Sequence, residues 1–211
     1  MRKLTKAKEP SVLSENRQKW LNDLKVDRTS AYRRHRYRHP DIKSALCSET
    51  GHKCVYCESK IGHNTPGDIE HKIPTSKDVD SHFKWENLTI ACTECNRRKN
   101  DYYEAHEGFL DPYIDDVEAM LIHHGPVVSW APGHRRAEIT VKILGLFGPE
   151  RLQLFFRKLE KLQQVADLLE RHNEVSDQAL RMVLQQQLTA MRDSSEEYSA
   201  MVASYIEQHA P

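Results

Sequence analysis

The chain has 211 residues, 38% hydrophobic and 29% charged, and contains no long uninterrupted apolar run. That composition excludes a transmembrane helix, which needs about 18 apolar residues or more. It points instead to one domain, or one small catalytic domain with helical additions. The basic start of the chain is followed by no apolar stretch, so it does not read as a secretory signal and a cytoplasmic location is expected. A net charge of zero conceals an asymmetry: residues 1–46 hold 13 Lys and Arg against 5 Asp and Glu, residues 47–100 hold 8 of each, and residues 101–211 hold 10 against 18. The basic front is densest over residues 33–39. It is suited to phosphate, or else is a solvated arm that pairs with the acidic back half.

In chain order, Val12, Leu13, Trp20, Leu21 and Leu24 recur at helical spacing and predict a first helix over residues 12–25. After the basic stretch and Pro40, Asp41 is read as the N-cap of a short helix holding Ile42, Ala45 and Leu46, ended by Gly51. Gly62, Asn64, Pro66 and Gly67 predict a loop. Alternation over residues 68–73 predicts a strand closed by Pro74, and residues 87–91 a second one. A helix is expected from Cys95 to about residue 106, an extended piece over 126–130, and a short helix over 138–146. Three more helices follow, over 149–172 with Pro149 at the first position, then after a cap at Ser176 or Asp177, and over about 195–208. Their apolar stripes are read as core or as partner-helix faces.

Four of the five cysteines form two pairs, Cys54 with Cys57 and Cys92 with Cys95, separated by 34 residues. Without an export signal this argues for metal rather than disulfides. Four thiolates complete a closed tetrahedral zinc site, which is structural; the alternative is two unrelated pairs in a reduced core. Cys47 is left as a buried thiol. Between and after the pairs lie Glu70 and His71 on a strand, Asn87 opening the next, and Asn96 starting a helix with Lys99 one turn on. A carboxylate and an amide oxygen are hard ligands suited to Mg²⁺ or a similar ion, and a neutral imidazole beside them can take a proton from water. Asp68, on the same strand face as Glu70, replaces or joins it at the ion. His52, His63 and His82 are read as loop residues and the pair His123 and His124 as surface. Arg97 and Arg98 sit beside the site and are expected to meet phosphate.

This pattern of paired cysteines, acid-His followed by Pro, Asn-Leu, and a second cysteine pair followed by Asn and a trailing Lys resembles the zinc-bearing subgroup of HNH (ββα-metal) endonucleases over about residues 54–100. The resemblance implies an α+β protein: a ββα core on a four-cysteine zinc site, surrounded by helices, with a mostly helical C-terminal part. It makes His71 the general base, Glu70 and Asn96 the ligands of a catalytic Mg²⁺ or Mn²⁺, and Asn87 the residue that orients the backbone around the base. Lys99, with Arg97, Arg98 and Lys72, becomes a nucleic-acid contact. The Gly-Gly usual after the His and Pro is absent; residues 75–86 carry Lys77, Asp78, Asp80, His82, Lys84 and Trp85 instead. The start of the chain, Phe109 to Pro112, Gly125, Ala137, residues 139–146 and Arg151 are similar to the HNH nuclease of Septu and retron anti-phage systems. That resemblance implies a defence effector working beside an ATPase subunit; this chain itself shows no P-loop motif, so a partner would supply nucleotide control. The expected organisation is a basic helical segment (1–50), a nuclease core (51–110) and a helical region that can meet a partner (111–211). DNA is placed ahead of RNA as substrate, although a site that reads phosphate does not itself separate them. No membrane partner is expected and an oligomer is compatible with the sequence. The alternatives are a non-catalytic zinc module that binds nucleic acid or protein, and an RNase effector, such as one cutting tRNA, on the same core.

Overall fold

Helix α1 (Ser11–Val26) follows Pro10 and buries Leu13 and Leu24; in the computed structural model, which describes residues 1–62 and 67–209, it forms one wall of the molecule. The short α2 (Ala31–Arg34) is capped by Ser30 and passes directly into a 3-10 turn, His35–Arg38. In α3 (Pro40–Glu49), Pro40 takes the first position, where its missing N–H costs nothing. The cap is the His39 ring, which accepts from the Asp41 N–H. Asp41 is therefore the capped residue, not the expected cap. The left-handed Gly51, φ +62°, turns the chain just after α3.

The first cysteine pair lies on the following turn, anchored where the Val55 N–H donates to the Ile90 carbonyl. Strands β1 (Asp68–His71) and β2 (Leu88–Ala91) pair antiparallel, with Glu70 opposite Thr89 and His71 opposite Leu88. The second cysteine pair opens α4 (Thr93–Lys99), whose N-cap is Cys92. The helix expected to run to about residue 106 stops at Lys99, because Asn100 adopts φ +49°. The ββα succession is thus present, with α4 packed on β1.

Beyond it come α5 (Val117–Met120), β3 (Leu121–His124) and β4 (Val127–Trp130). Periodicity indicated only the second of these strands. They form a tight antiparallel hairpin turned at Gly125, φ +59°. His123 is buried on it and His124 exposed, which corrects the reading of the pair as surface. Helix α6 (Arg135–Leu144) packs on β4 and α4. The long α7 (Leu152–Glu174) follows a 3-10 turn that starts at Pro149. Helix α8 (Gln178–Met191) is capped by Asp177 as expected, and α9 (Ser199–His209) starts later than its stripe suggested, after Tyr198 at φ +57°. One connected apolar core runs from Leu13, Leu24 and Leu46 through Trp85, Leu88 and Ile90 to Val141, Val165 and Met201. The molecule is α+β with a mostly helical C-terminal part. No helix of the described residues is long and apolar enough to cross a membrane.

Candidate active site

The four thiols converge. The sulfurs of Cys54, Cys57, Cys92 and Cys95 lie within 4.8 Å of one another, all buried, and Cys57 Sγ is 3.7 Å from Cys92 Sγ. A tetrahedron with zinc–sulfur bonds of about 2.3 Å has edges of about 3.8 Å, so the donor set and its size fit zinc. Four thiolates around a divalent ion leave two negative charges, and α7 and the turn before it supply two positive ones. Arg151 Nη1 donates to Cys95 Sγ at 3.2 Å and to the Leu144 carbonyl. Burial works against the charge of Arg151, but the nearby sulfurs outweigh it and push its pKa up. Lys158 is buried against the same cluster; burial brings it down to about 8, with Cys57 pulling the other way. Cys47, read as buried, is half-buried on α3.

Alternation along β1 turns Glu70 toward α4 and His71 toward the N-terminal turn. His71 Nε2 lies 2.9 Å from the His82 carbonyl. A carbonyl can only accept, so Nε2 carries the proton and Nδ1 keeps its lone pair. Among the described residues Nδ1 has no hydrogen-bond partner, and it is not one of the buried unpaired atoms. The ring stacks on His82 at 4.5 Å and meets the edge of Tyr37 at 4.6 Å. Burial, reinforced by His82, drives the His71 pKa down to about 3, so the imidazole is neutral at physiological pH.

His82 belongs to this site rather than to a free loop. It is 3% exposed, with Nδ1 2.6 Å from Thr75 Oγ1 and Nε2 2.8 Å from the Arg34 carbonyl. Tyr37 and Arg34 join the site with it. No local signal reveals them, because residues 34, 37, 71 and 82 meet only when the chain folds. His63, also read as a loop residue, and the predicted turn at Asn64 and Pro66 lie outside the described residues.

Asn87 is where the sequence suggested. Its Oδ1 accepts from the Ile73 N–H, and its Nδ2 donates to the Ile73 and Ser81 carbonyls, at 2.7–3.0 Å. This buried amide ties both ends of the 72–87 loop together and so holds the His82 carbonyl against His71.

On the other face of β1, the Glu70 carboxylate is 4% exposed and its Oε1 lies 2.5 Å from Lys99 Nζ. That approach is an ion pair outside hydrogen-bond geometry, and Oε1 has no hydrogen-bond donor. Burial raises the Glu70 pKa, with Lys99 working against the rise. Asn96 lies one turn before Lys99 on α4, half-buried, with no side-chain partner among the described residues. The Glu70 carboxylate and the Asn96 amide oxygen are hard donors of the kind a Mg²⁺ or Mn²⁺ ion takes. Asp68 lies on this face too and raises Glu70 through its charge.

The expected phosphate contacts are placed differently from one another. Lys99 is 2% exposed, its ammonium on Glu70 and on the His71 carbonyl at 2.9 Å, because a buried carboxylate requires a counter-charge. This corrects the reading of Lys99 as a phosphate contact. Lys72 pairs with Asp111 at 2.7 Å. Arg98 is held by Glu94; Arg97 pairs with the same carboxylate but stays exposed. A cleft of about 400 Å³, lined by Tyr56, Lys72, Asn87, Lys99, Tyr102 and Phe109, opens on this face.

With this geometry in view, the comparisons with known proteins are specific. Residues 54–102, which hold the ββα unit and both cysteine pairs, match the family described as HNH endonuclease. Over 182 residues the chain is also 24% identical to the Septu protein PtuB of Bacillus thuringiensis, covering 79% of this chain and 68% of the relative.

Three outcomes follow from the site. Purified protein should hold about one zinc per chain by elemental analysis, and Cys92→Ser should lose it together with cooperative unfolding, since zinc binding at such sites supplies on the order of 10 kcal/mol of folding free energy; a zinc-free variant with an unchanged unfolding midpoint would refute this. Asn87→Ala should cost about 3 kcal/mol in urea denaturation, as three buried backbone groups lose their partner. Burial drives His123 to about 3 as well. A folded pKa below the unfolded value means that stability is complete above about pH 6.5 and falls as pH drops toward the folded value. His123→Gln should flatten that acid slope by about 1.4 kcal/mol per pH unit between pH 6 and 4, read from unfolding midpoints.

Proposed function

We propose that the protein is a metal-dependent endonuclease that hydrolyses phosphodiester bonds, with His71 as its general base. The observation that carries this reading is the His71 imidazole itself: neutral, fixed by the His82 carbonyl through Nε2, with no partner for the Nδ1 lone pair among the described residues. Nδ1 takes a proton from water, and the resulting hydroxide attacks phosphorus in line. The 3′ oxygen departs, leaving a 5′-phosphate on the other fragment. Glu70 and Asn96, with Asp68 beside them, would hold the divalent ion, which when bound supplies charge stabilisation for the phosphate and the leaving oxygen. Asn87 acts by holding the 72–87 loop, and zinc at the four cysteines keeps the hairpin and α4 in register.

In this reading residues 51–110 are the catalytic unit and residues 1–50 close it on one side. Residues 111–211 support the zinc site and meet a partner. The similarity to a Septu protein supports a role in anti-phage defence, within the cytoplasm and beside an ATPase subunit. Leu152, Phe156 and Leu159 on α7 and Leu180, Met182 and Val183 on α8 are exposed apolar residues suited to such a contact. DNA is favoured over RNA as substrate. The Glu70–Lys99 ion pair favours a second reading, a non-catalytic zinc module that binds nucleic acid, because it neutralises the carboxylate without a metal.

One experiment separates the two. His71→Ala should fold and retain zinc, yet cut plasmid, linear duplex or tRNA at least about 100-fold more slowly than wild type with Mg²⁺ or Mn²⁺. Equal cleavage by the variant removes His71 as base. Absence of metal-stimulated cleavage by wild type, alone or with its partner, leaves the binding module. Cleavage of tRNA alone makes it an RNase.

A further inference from the structure

The nuclease reading leaves the basic front of the chain without a role, and the structure brings its densest part to the base. Residues 33–39 include four arginines and two histidines. They fold as α2 and the 3-10 turn, which lie directly against His71: Tyr37 packs edge-on to the imidazole, and the Arg34 carbonyl receives His82. This turn lies outside the residues that match the HNH endonuclease family.

Its four arginines divide by direction. Arg36 bonds Asp23 at 2.6 Å, and Arg33 bonds the Asp23 carbonyl and lies 4.0 Å from Asp27. Both are spent on fastening the turn to the end of α1. Arg34 and Arg38 are exposed and have neither a carboxylate nor a hydrogen-bond acceptor for their guanidinium groups among the described residues. Both belong to the turn that packs on His71 and His82. Arg38 lies 5.7 Å from the Tyr37 ring, whose edge meets His71, and the charges of both Arg34 and Arg38 act on the intervening His35. Like charges gathered without a counter-ion raise the energy of the free protein and are offset when an anion binds between them. The other cations near the site, Lys99, Lys72 and Arg98, are already engaged by Glu70, Asp111 and Glu94.

We infer that Arg34 and Arg38 form the phosphate-binding site of the nuclease, gripping the nucleic-acid backbone next to the scissile bond and laying it across His71. The inference rests on the nuclease reading but names residues that the catalytic motif does not contain. A guanidinium binds phosphate through paired N–H donors without reading bases, so the grip orients the strand rather than selecting a sequence.

The test is binding, which does not require turnover. The zinc-loaded full chain is titrated into a fluorescein-labelled 30-base-pair duplex, and separately into a single strand, without added divalent metal, at 50 and 200 mM NaCl. Each phosphate contact contributes a slope of about −0.9 to log K against log salt on duplex DNA. Wild-type affinity should therefore fall about tenfold more over that range than the affinity of Arg34→Gln/Arg38→Gln, while Arg97→Gln changes the slope little. Arg34→Lys/Arg38→Lys should restore most of the salt dependence. An unchanged affinity and slope in the glutamine pair overturns the inference and leaves the His71 mechanism standing. So does a loss that the lysine pair does not restore, which assigns the effect to structure. Failure of wild type to bind either nucleic acid at 50 mM NaCl overturns the inference too, while the nuclease reading is decided by the cleavage test with metal and partner.

Discussion

The fold depends on four sulfurs being brought within 4.8 Å of one another from two turns far apart in sequence. One pair sits on the turn after α3 and the other on the turn from β2 into α4. The shared cluster therefore fixes where the hairpin lies relative to the N-terminal helices and where α4 begins. Arg151 and Lys158 extend that constraint into the C-terminal helices, because a thiolate cluster with surplus negative charge draws buried cations to it. The long α7 is thereby keyed to the same point as the ββα unit.

The proposed base stands on a second layer of constraint, built from backbone groups. Asn87 closes the 72–87 loop with three hydrogen bonds. The loop then offers the His82 carbonyl to His71, and His82 is in turn held by Thr75 and by the Arg34 carbonyl. One tautomer and one ring orientation of His71 result. The same burial that fixes the ring keeps it neutral at physiological pH, and it also weakens the ring as a base, since a general base works best with a pKa near the working pH. The N-terminal turn is part of this arrangement, so the proposed catalytic unit is larger than the residues that carry its motif.

Glu70 is asked to meet two demands under the proposed function. Buried carboxylates are stable only with a partner, and Lys99 provides it. A hard divalent ion offers the same carboxylate a stronger counter-charge, and Asn96 adds a neutral oxygen on the same side of α4. The ion pair and the proposed metal site are therefore alternatives for one pair of oxygens.

Much of the site was legible in the sequence because its signals are local. Paired cysteines at knuckle spacing, an acid beside a histidine on a short alternating stretch, and asparagines at the start of a strand and a helix are patterns set within a few residues. So was the helical C-terminal part, where apolar stripes of period 3.6 leave little choice of secondary structure. Hidden in the sequence were the things that depend on which surfaces meet: His82 beneath His71, Tyr37 against its edge, Lys99 turned inward to Glu70, Arg33 and Arg36 tied to α1 while Arg34 and Arg38 have no acceptor among the described residues, and β3 completing a hairpin. The sequence by itself determined the chemistry available and the elements that carry it, because covalent spacing and helix or strand period act over one or two turns of chain. Only the tertiary structure decided which charges are paired, which are left free and which imidazole nitrogen stays open, because those outcomes are set by burial and by partners distant along the chain.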